Sequence, residues 1–393
     1  MTINLLIAFG QFGLGYAIAY QTGKGKYTKS QILTFAVTSS IILGSILALL
    51  FYLVYPHIPS KWNDISRPIM VIGLLAAPFA FLHNFLNRFL LGMLKVRQSN
   101  ISNLFRILSY LLLVIALLWI MRGSLKAATV CLTLSFVIAG ILTYALFTRG
   151  IKPAMKIDTT LAGFSFRYGI KVHILNIFNF LNLQLAIFII QHFHTASQLS
   201  FYQLAFNISQ RLWLIPTALS TVLYHTLVAT DRSSSTLTPR VCRNNLLIMV
   251  LLAIPVVLFG KFVILFLYGR EYIQTTLALY SVVWGIVVYP IFKILYEDFA
   301  AQNRLGLAIL ASILGFVVNL SANLLMVPRY GIVGAGLATS LAFTLMAIIL
   351  VGFYMHHHKI PARDLLLVNS EDLSDFLKAF GKLKSRIRKV AMR

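Results

Sequence analysis

The residues with the clearest chemical potential lie in the apolar stretch 199–226. Arg211 stands near its middle, and a guanidinium offers a planar fork that binds phosphate or carboxylate oxygens bidentately. Polar side chains recur around it and fall within one narrow arc at about 100° per residue. We predict that this arc is the wall of a polar cavity, with interhelical hydrogen bonding as the alternative. The arc comprises Gln203, Asn207, Gln210, Thr217, Thr221 and His225.

Two further apolar stretches, 69–91 and 165–190, carry polar rows of the same kind. Amides at a spacing of three should face a neighbouring helix or the cavity, because lipid disfavours them. Arg88, together with Arg106 in the segment 101–121, predicts a cationic vestibule for an anionic lipid head. For Lys171, snorkelling to the headgroups is the alternative to a site role. The candidates are His83, Asn87, Arg88, Arg106, Lys171, Asn176, Asn179 and Asn182.

Acidic residues are scarce, ten in all. Only Glu297 and Asp298 belong to a helix end, and Lys293 lies four residues before Glu297, a spacing that predicts a local ion pair. We find no carboxylate deep in a bundle, as a cation-coupled antiporter would need. No acidic pair lies in a loop large enough for a catalytic domain. The sequence therefore predicts no enzyme, no cofactor and no metal site.

The chain that holds these side chains is strongly apolar. Its 393 residues are 59% apolar and 11% charged, whereas soluble proteins are ~45–50% apolar and ~25% charged. A water-soluble protein is therefore excluded. The formal net charge is +24, but the basic residues lie between apolar runs. This placement indicates topology signals and anionic membrane lipids as partners, and no nucleic acid.

Eleven apolar segments are long enough to cross ~30 Å of hydrocarbon as α-helices. They predict an all-α integral membrane protein with a bundle of five helices in 1–160, a bundle of six in 161–356, and a basic amphipathic cytoplasmic tail at 357–393. The odd count leads us to expect a twelve-helix, two-bundle transporter fold without its first helix. The segments are 2–20, 32–55, 69–91, 101–121, 127–148, 165–190, 199–226, 244–267, 276–297, 306–327 and 332–355.

Basic residues alternate between the loops. Loops after odd-numbered segments hold more Lys and Arg than loops after even-numbered ones, as Lys24, Lys26 and Lys29 show for the first. Basic loops stay in the cytoplasm, so we predict a cytoplasmic carboxyl end and an external Met1.

Four stretches resemble one transporter family. Residues 318–345 place an Asn-containing helix before Pro, a Tyr-Gly turn and a Gly/Ala-rich helix start, and 265–279 carry "LFLYGREYIQTTLAL". Residues 197–227 and the loop 19–32 extend the likeness over most of the chain. These stretches are similar to those of the polysaccharide and O-antigen flippases of the multidrug/oligosaccharidyl-lipid/polysaccharide exporter superfamily.

The resemblance implies a flippase of the inner (cytoplasmic) membrane. Its substrate would be an undecaprenyl-diphosphate-linked oligosaccharide, an O-antigen or capsule repeat unit, moved by alternating access. Partners would be that lipid-linked oligosaccharide and other polysaccharide-assembly proteins. One alternative is a multidrug or small-molecule exporter of the same superfamily. Another is a membrane-bound glycan polymerase or ligase, which commonly has a large external loop that the short connections here do not provide.

Overall fold

The computed structural model describes residues 9–57, 66–120, 124–156, 158–230 and 234–369. Within these ranges the regular structure is helical, with no strand. We number the α-helices in chain order. They are α1 (Leu14–Lys24), α2 (Lys29–Val54), α3 (Arg67–Leu74), α4 (Ala76–Gly92), α5 (Val96–Ile120), α6 (Leu125–Phe147), α7 (Thr159–Phe193), α8 (Ala196–Leu212), α9 (Leu214–Ala229), α10 (Ser234–Tyr268), α11 (Thr275–Ala301), α12 (Leu305–His358) and α13 (Ala362–Leu366).

Most of these helices have the length and composition of membrane spans. Among the described residues, eight helical stretches are long and apolar enough to cross a bilayer, or nine with the bent pair α8–α9. Large apolar side chains are exposed on their outer faces, for example Phe262 and Phe266 on α10. Water penalises such a surface and lipid solvates it. The predicted all-α, multi-pass membrane protein is therefore confirmed.

The longest helix, α12, is two spans joined by a break. Its 54 residues would reach about 81 Å as one straight helix, far beyond the ~30 Å of a hydrocarbon core. Gly331 departs from helical geometry, with φ 57° and ψ −135°. Gly334 packs on the backbone of Met326, and Gly315 packs on Met346, so the two halves run antiparallel about the break. The tenth and eleventh predicted segments are thus separate spans.

The first predicted segment, 2–20, is interrupted. Phe12 and Gly13 have left-handed backbone angles, with φ 46° and 68°, and α1 begins only at Leu14. Gly13 lies against the backbone carbonyl of Gly169 on α7, where a side chain would hold the two backbones apart. The sequence did not predict this break, because helical periodicity does not reveal which glycine adopts a positive φ. Residues 2–8 of the segment lie outside the described part of the chain.

One buried helix organises each half of the chain. In the amino-terminal half, α4 packs against α1, α2 and α6, and Phe81, Phe85 and Phe89 fill the core around it. In the carboxyl-terminal half, α11 packs against α8, α10 and α12 and is buried along most of its length. The helices around each centre turn apolar side chains outward, as lipid-facing surfaces require.

The chain forms two compact units. The predicted domains 1–160, 161–356 and 357–393 stay a prediction. From residue 370 onward the predicted amphipathic tail lies outside the described residues, and its described part contains α13. The units comprise Met1–Ile174 with Val228–Thr230, and Leu175–Leu227 with Asp231–Arg393.

Candidate functional site

An exposed polar face lies on α8, in the second unit. Asn207 and Arg211, one helical turn apart, are both exposed, and Gln203 and Gln210 beside them are half-buried. Arg211 lies about 22 Å along the axis from the first residue of α8, within the bent span α8–α9. Charged and amide side chains within a membrane span are costly against lipid, so this face is a candidate lining of a water-filled space.

The adjoining helix α9 presents a different face. The axis bends by 45° between α8 and α9, where Pro216 lacks the N–H that the carbonyl of Leu212 would accept. Leu214, Ile215 and Val222 are exposed beyond the bend. The single polar arc predicted along 199–226 is therefore interrupted. Its members on α9, which are buried or half-buried, are Thr217, Thr221 and His225.

Trp213, at the bend, connects this span to α11. Its indole N–H donates a hydrogen bond of 3.0 Å to the carbonyl oxygen of Ile286. Pro290 follows Ile286 by four residues and has no N–H, so the indole supplies the partner that this carbonyl lacks within its own helix. The ring centroids of Trp213 and Tyr289 lie 4.6 Å apart. A neighbouring helix thus fixes the bend next to Arg211.

A buried network joins α7 to α12. Asn182 donates to the backbone carbonyl of Ser312 at 3.1 Å, and the Ser312 hydroxyl donates to the Asn179 side chain at 3.1 Å. Asn319 donates to the backbone carbonyl of Asn182 at 2.9 Å, and Asn323 donates to the side-chain oxygen of Asn319 at 2.7 Å. All five side chains are buried. The candidates Asn179 and Asn182 therefore connect two helices.

The first unit holds a second buried network, across α4, α5 and α6. The Ser99 hydroxyl donates to the Asn87 side chain at 2.9 Å, and the Asn87 amide nitrogen lies 3.1 Å from Nε2 of His83. The Ser102 hydroxyl lies 3.2 Å from the same Nε2 and 2.6 Å from the Thr143 hydroxyl. The candidates His83 and Asn87 are thus buried within an interhelical network.

The remaining candidates are cationic or exposed. The Arg88 guanidinium lies 4.2 Å from the centre of the Tyr16 ring, so α4 and α1 share a cation–π contact. Arg88 is half-buried, whereas Lys171 and Asn176 are exposed on α7. Arg106 on α5 lies 5.4 Å from an aromatic ring of α6. Both arginines of the predicted vestibule therefore lie over aromatic faces within the first unit.

Two carboxylates are buried in α11, contrary to the sequence prediction. Glu297 is 2% exposed and Asp298 is 0% exposed. The predicted segment stopped at residue 297, which placed both at an open helix end, but α11 continues to Ala301 and packs against α10 and α12. Their burial was not predicted, because the pattern of one helix does not show which others cover its end.

Comparison with known sequences gives a family match. Residues 1–231 match the family described as polysaccharide biosynthesis protein. The chain is 24% identical over 166 residues to a probable low-salt glycan biosynthesis flippase, Agl15, of Haloferax volcanii. That alignment covers 41% of this chain and 35% of the relative, so it spans about a third of the relative's length.

Solved transporter structures share the fold. An outward-facing MATE family multidrug resistance transporter of the MOP superfamily superimposes with a TM-score of 0.78 at 12% identity, covering 91% of this chain and 85% of its own. A MOP superfamily transporter from Pyrococcus furiosus gives 0.78 at 13% identity with the same coverage. The Vibrio cholerae MATE transporter VcmN in its bent form gives 0.77 at 16% identity, covering 93% and 88%. At these identities the likeness shows the fold alone, and it confirms the predicted all-α membrane transporter fold.

Proposed function

Because the chain belongs to the polysaccharide biosynthesis protein family, we propose that it is a flippase rather than an enzyme. Its cargo is an undecaprenyl-diphosphate-linked oligosaccharide, an O-antigen or capsule repeat unit. The protein carries this cargo across the inner (cytoplasmic) membrane by alternating access. The observation that carries the proposal is the exposed polar face of α8, with Arg211 inside a membrane span.

The chemistry of this face suits a glycosyl diphosphate. The planar guanidinium of Arg211 pairs bidentately with phosphate oxygens. Asn207, Gln203 and Gln210 carry amides that both donate and accept, as sugar hydroxyls require. A central arginine costs roughly 2.5–3.5 kcal/mol on membrane-insertion scales, and an anionic substrate in a hydrated cavity offsets that cost.

The bend between α8 and α9 suits an amphiphile. On α8 the exposed side chains include Asn207 and Arg211, and on α9 they include Leu214, Ile215 and Val222. In the proposed mode the diphosphate and sugars contact α8, while the polyprenyl chain stays in lipid beside α9. The head group thus crosses in water and the tail never leaves hydrocarbon, so each moiety keeps its preferred solvent.

The other candidates receive different roles in this proposal. Lys171, Asn176 and Arg88 remain candidates for contact with the anionic head.

The orientation in the membrane follows from the basic loops, which favour a cytoplasmic carboxyl end. Partners are the lipid-linked oligosaccharide, anionic membrane lipids and other polysaccharide-assembly proteins. For the networked residues, an interhelical role is favoured over cavity contact. These residues are His83, Asn87, Asn179 and Asn182.

A second candidate function is a small-molecule exporter coupled to a cation. Two observations favour it: MATE transporters share the fold, and α11 buries the carboxylates of Glu297 and Asp298. The two functions differ in their cargo. A flippase moves a lipid-linked oligosaccharide between leaflets, whereas an exporter moves a water-soluble organic cation between compartments.

Substitution of Arg211 tests the flippase proposal. Arg211→Ala should abolish most lipid-linked glycan translocation by proteoliposomes while insertion stays normal, and Arg211→Lys should restore part of it if charge outweighs the planar fork. The matched control is Arg270→Ala, which removes an exposed arginine in the loop between α10 and α11. Readouts are glycan flipped per inserted protein and efflux of a cationic dye.

The outcomes separate the two functions. Loss of glycan translocation with Arg211→Ala, together with normal translocation by Arg270→Ala, would support the α8 face as the substrate site. Normal glycan translocation by Arg211→Ala would remove that face from the site. Dye efflux without glycan movement in the wild type would favour the exporter.

A further inference from the structure

Asp298 is a fully buried carboxylate near the carboxyl-terminal end of α11. It accepts hydrogen bonds from the Ser234 hydroxyl at 2.7 Å and from the Gln302 side-chain amide at 2.9 Å. Among the described residues, these donors are a hydroxyl and a side-chain amide. Its hydrogen-bond donors are therefore neutral.

A charge in this position needs compensation. Removing a carboxylate from water is costly unless a cation pairs with it or a proton neutralises it. Ionisable residues buried in membrane proteins commonly mark proton relays for this reason. We therefore expect the buried carboxylate of Asp298 to bind a small cation, and the proton is the smallest cation available.

A relay connects Asp298 to the end of α12. The Ser234 hydroxyl, which contacts Asp298, also lies 3.3 Å from Nε2 of His358, a half-buried residue at the last turn of α12. Tyr354 positions both partners: its hydroxyl donates to the backbone carbonyl of Ser234 at 2.8 Å, and its ring lies 4.4 Å from that of His358. A hydroxyl both donates and accepts, so Ser234 is suited to pass a proton between the two.

Buried polar groups continue inward from this relay. The Thr238 hydroxyl is fully buried one turn beyond Ser234 and lies beside Asp298 and Tyr354. Asn245 lies on the same face of α10, is fully buried, and neither of its amide atoms has a hydrogen-bond partner among the described residues. Buried amides without a protein partner ordinarily bind water, so the polar stripe of α10 extends inward from Ser234 as far as Asn245.

Other titratable or charged groups lie on every element packed against Asp298. On α12, His357 contacts Arg304, which directly precedes that helix, at 2.9 Å. His357 is also near enough to act on Asp298 through its charge. All of these groups belong to the elements packed against Asp298. They are Lys293 and Glu297 on α11, Arg240, Cys242 and Arg243 on α10, and Arg304, Tyr354, His357 and His358 on or beside α12.

We propose that Asp298 is a proton-binding site that is loaded from His358 through Ser234. In the loading step, the His358 imidazolium gives its Nε2 proton to Ser234 Oγ while the Ser234 hydroxyl proton passes to Asp298 Oδ2. One N–H and one O–H bond break, two O–H bonds form, and the charges of imidazolium and carboxylate cancel. The site does not depend on the identity of the cargo, so it goes beyond the flippase proposal.

Infrared difference spectroscopy of the purified full-length protein tests the site directly. The chain has ten acidic residues in all, so the C=O stretching bands of protonated carboxyl groups are few. Between alkaline and acidic buffer, the wild type should gain a band from a buried carboxylic acid. Asp298→Asn mimics the neutral form: its amide oxygen still accepts from Gln302, its amide nitrogen can donate to the Ser234 hydroxyl, and the variant should lack that band. Glu297→Gln removes the neighbouring buried acid and should keep it.

A second variant leaves Asp298 in place and tests the relay. After a pH jump, His358→Phe should slow the appearance of the band by about 100-fold, since positioned proton donors contribute at least that much. His356→Phe, which removes an exposed histidine of the same helix end, should leave the rate unchanged.

Each outcome bears on the proposal. No pH-dependent band in the wild type, or a band lost in Glu297→Gln and kept in Asp298→Asn, would overturn the site. Equal rates in His358→Phe and the wild type would overturn the loading route.

Discussion

Two amide-rich stretches of the second unit carry similar residues at similar spacing in opposite environments. On α7, Asn179 and Asn182 are buried and hydrogen-bonded to α12. On α8, Asn207 and Arg211 are exposed. A polar side chain inside a membrane is satisfied either by protein or by water; the α7 stretch uses protein, and we propose that the α8 stretch uses water. Spacing alone does not separate helix-joining residues from cavity residues, whereas burial and hydrogen-bond partners do.

The largest expected effect is the loss of thermal stability when Trp213, which holds the bend next to Arg211, is replaced. Trp213→Phe leaves the Ile286 carbonyl without its donor, and a buried unsatisfied group costs about 1–3 kcal/mol. Pro290→Ala should restore a backbone N–H to the same carbonyl. We therefore expect Trp213→Phe to lower thermal stability in detergent and the double variant to recover much of it.

A double-mutant cycle isolates this hydrogen bond from the lost ring volume. Pro290→Ala should stabilise the Trp213→Phe background more than the wild-type background, and the difference measures the coupling. Equal effects in both backgrounds would show that Trp213 contributes packing alone. Glycan translocation should fall with Trp213→Phe, because the bend next to Arg211 loses its support.

Matched asparagine variants test the comparison itself. Asn319→Ala removes bonds to Asn182 and Asn323, and interhelical hydrogen bonds in membranes contribute about 0.6–1.7 kcal/mol. Asn207→Ala should change stability by less than about 0.5 kcal/mol, as exposed substitutions usually do. Translocation per inserted molecule should show the reverse pattern, lower with Asn207→Ala and near normal with Asn319→Ala. Equal stability losses in the two variants would break the distinction between the stretches.

Local features were predictable from the sequence where a single residue decides them. The Pro-Arg-Tyr-Gly stretch ending at Gly331 separates two long apolar segments, and the structure breaks there. Pro216 was equally visible, but the bend beside it depends on Trp213 meeting α11. Burial of Asp298 depends on α10 and α12 covering the end of α11. Features that need two or three helices to meet are set by tertiary packing, which the periodicity of one segment does not encode.

Substitution of Asp158 gives the smallest expected effect. It tests a polar residue near solvent, whereas the earlier variants change residues within membrane spans. Its carboxylate accepts hydrogen bonds from the Thr160 hydroxyl at 2.6 Å and the Leu161 N–H at 3.1 Å, at the start of α7. Gln31 on α2 donates to its other oxygen at 3.1 Å. The Thr160 hydroxyl, followed by the Leu161 N–H, holds the pKa of Asp158 below its ordinary value. Asp158 therefore has a structural role although it lies near solvent, because it caps the amino-terminal end of α7.

The pH dependence of stability follows from that lowered pKa. A carboxyl group whose folded pKa is depressed stabilises the fold above its unfolded pKa of ~3.9, and this contribution is lost as pH falls through the lower folded value. Asp158→Asn should therefore lower the melting temperature slightly at neutral pH, and the difference from wild type should shrink below about pH 4. Asp364→Asn, at the exposed start of α13, is the control. A difference that stays constant or grows on acidification would show that the Asp158 charge does not stabilise α7.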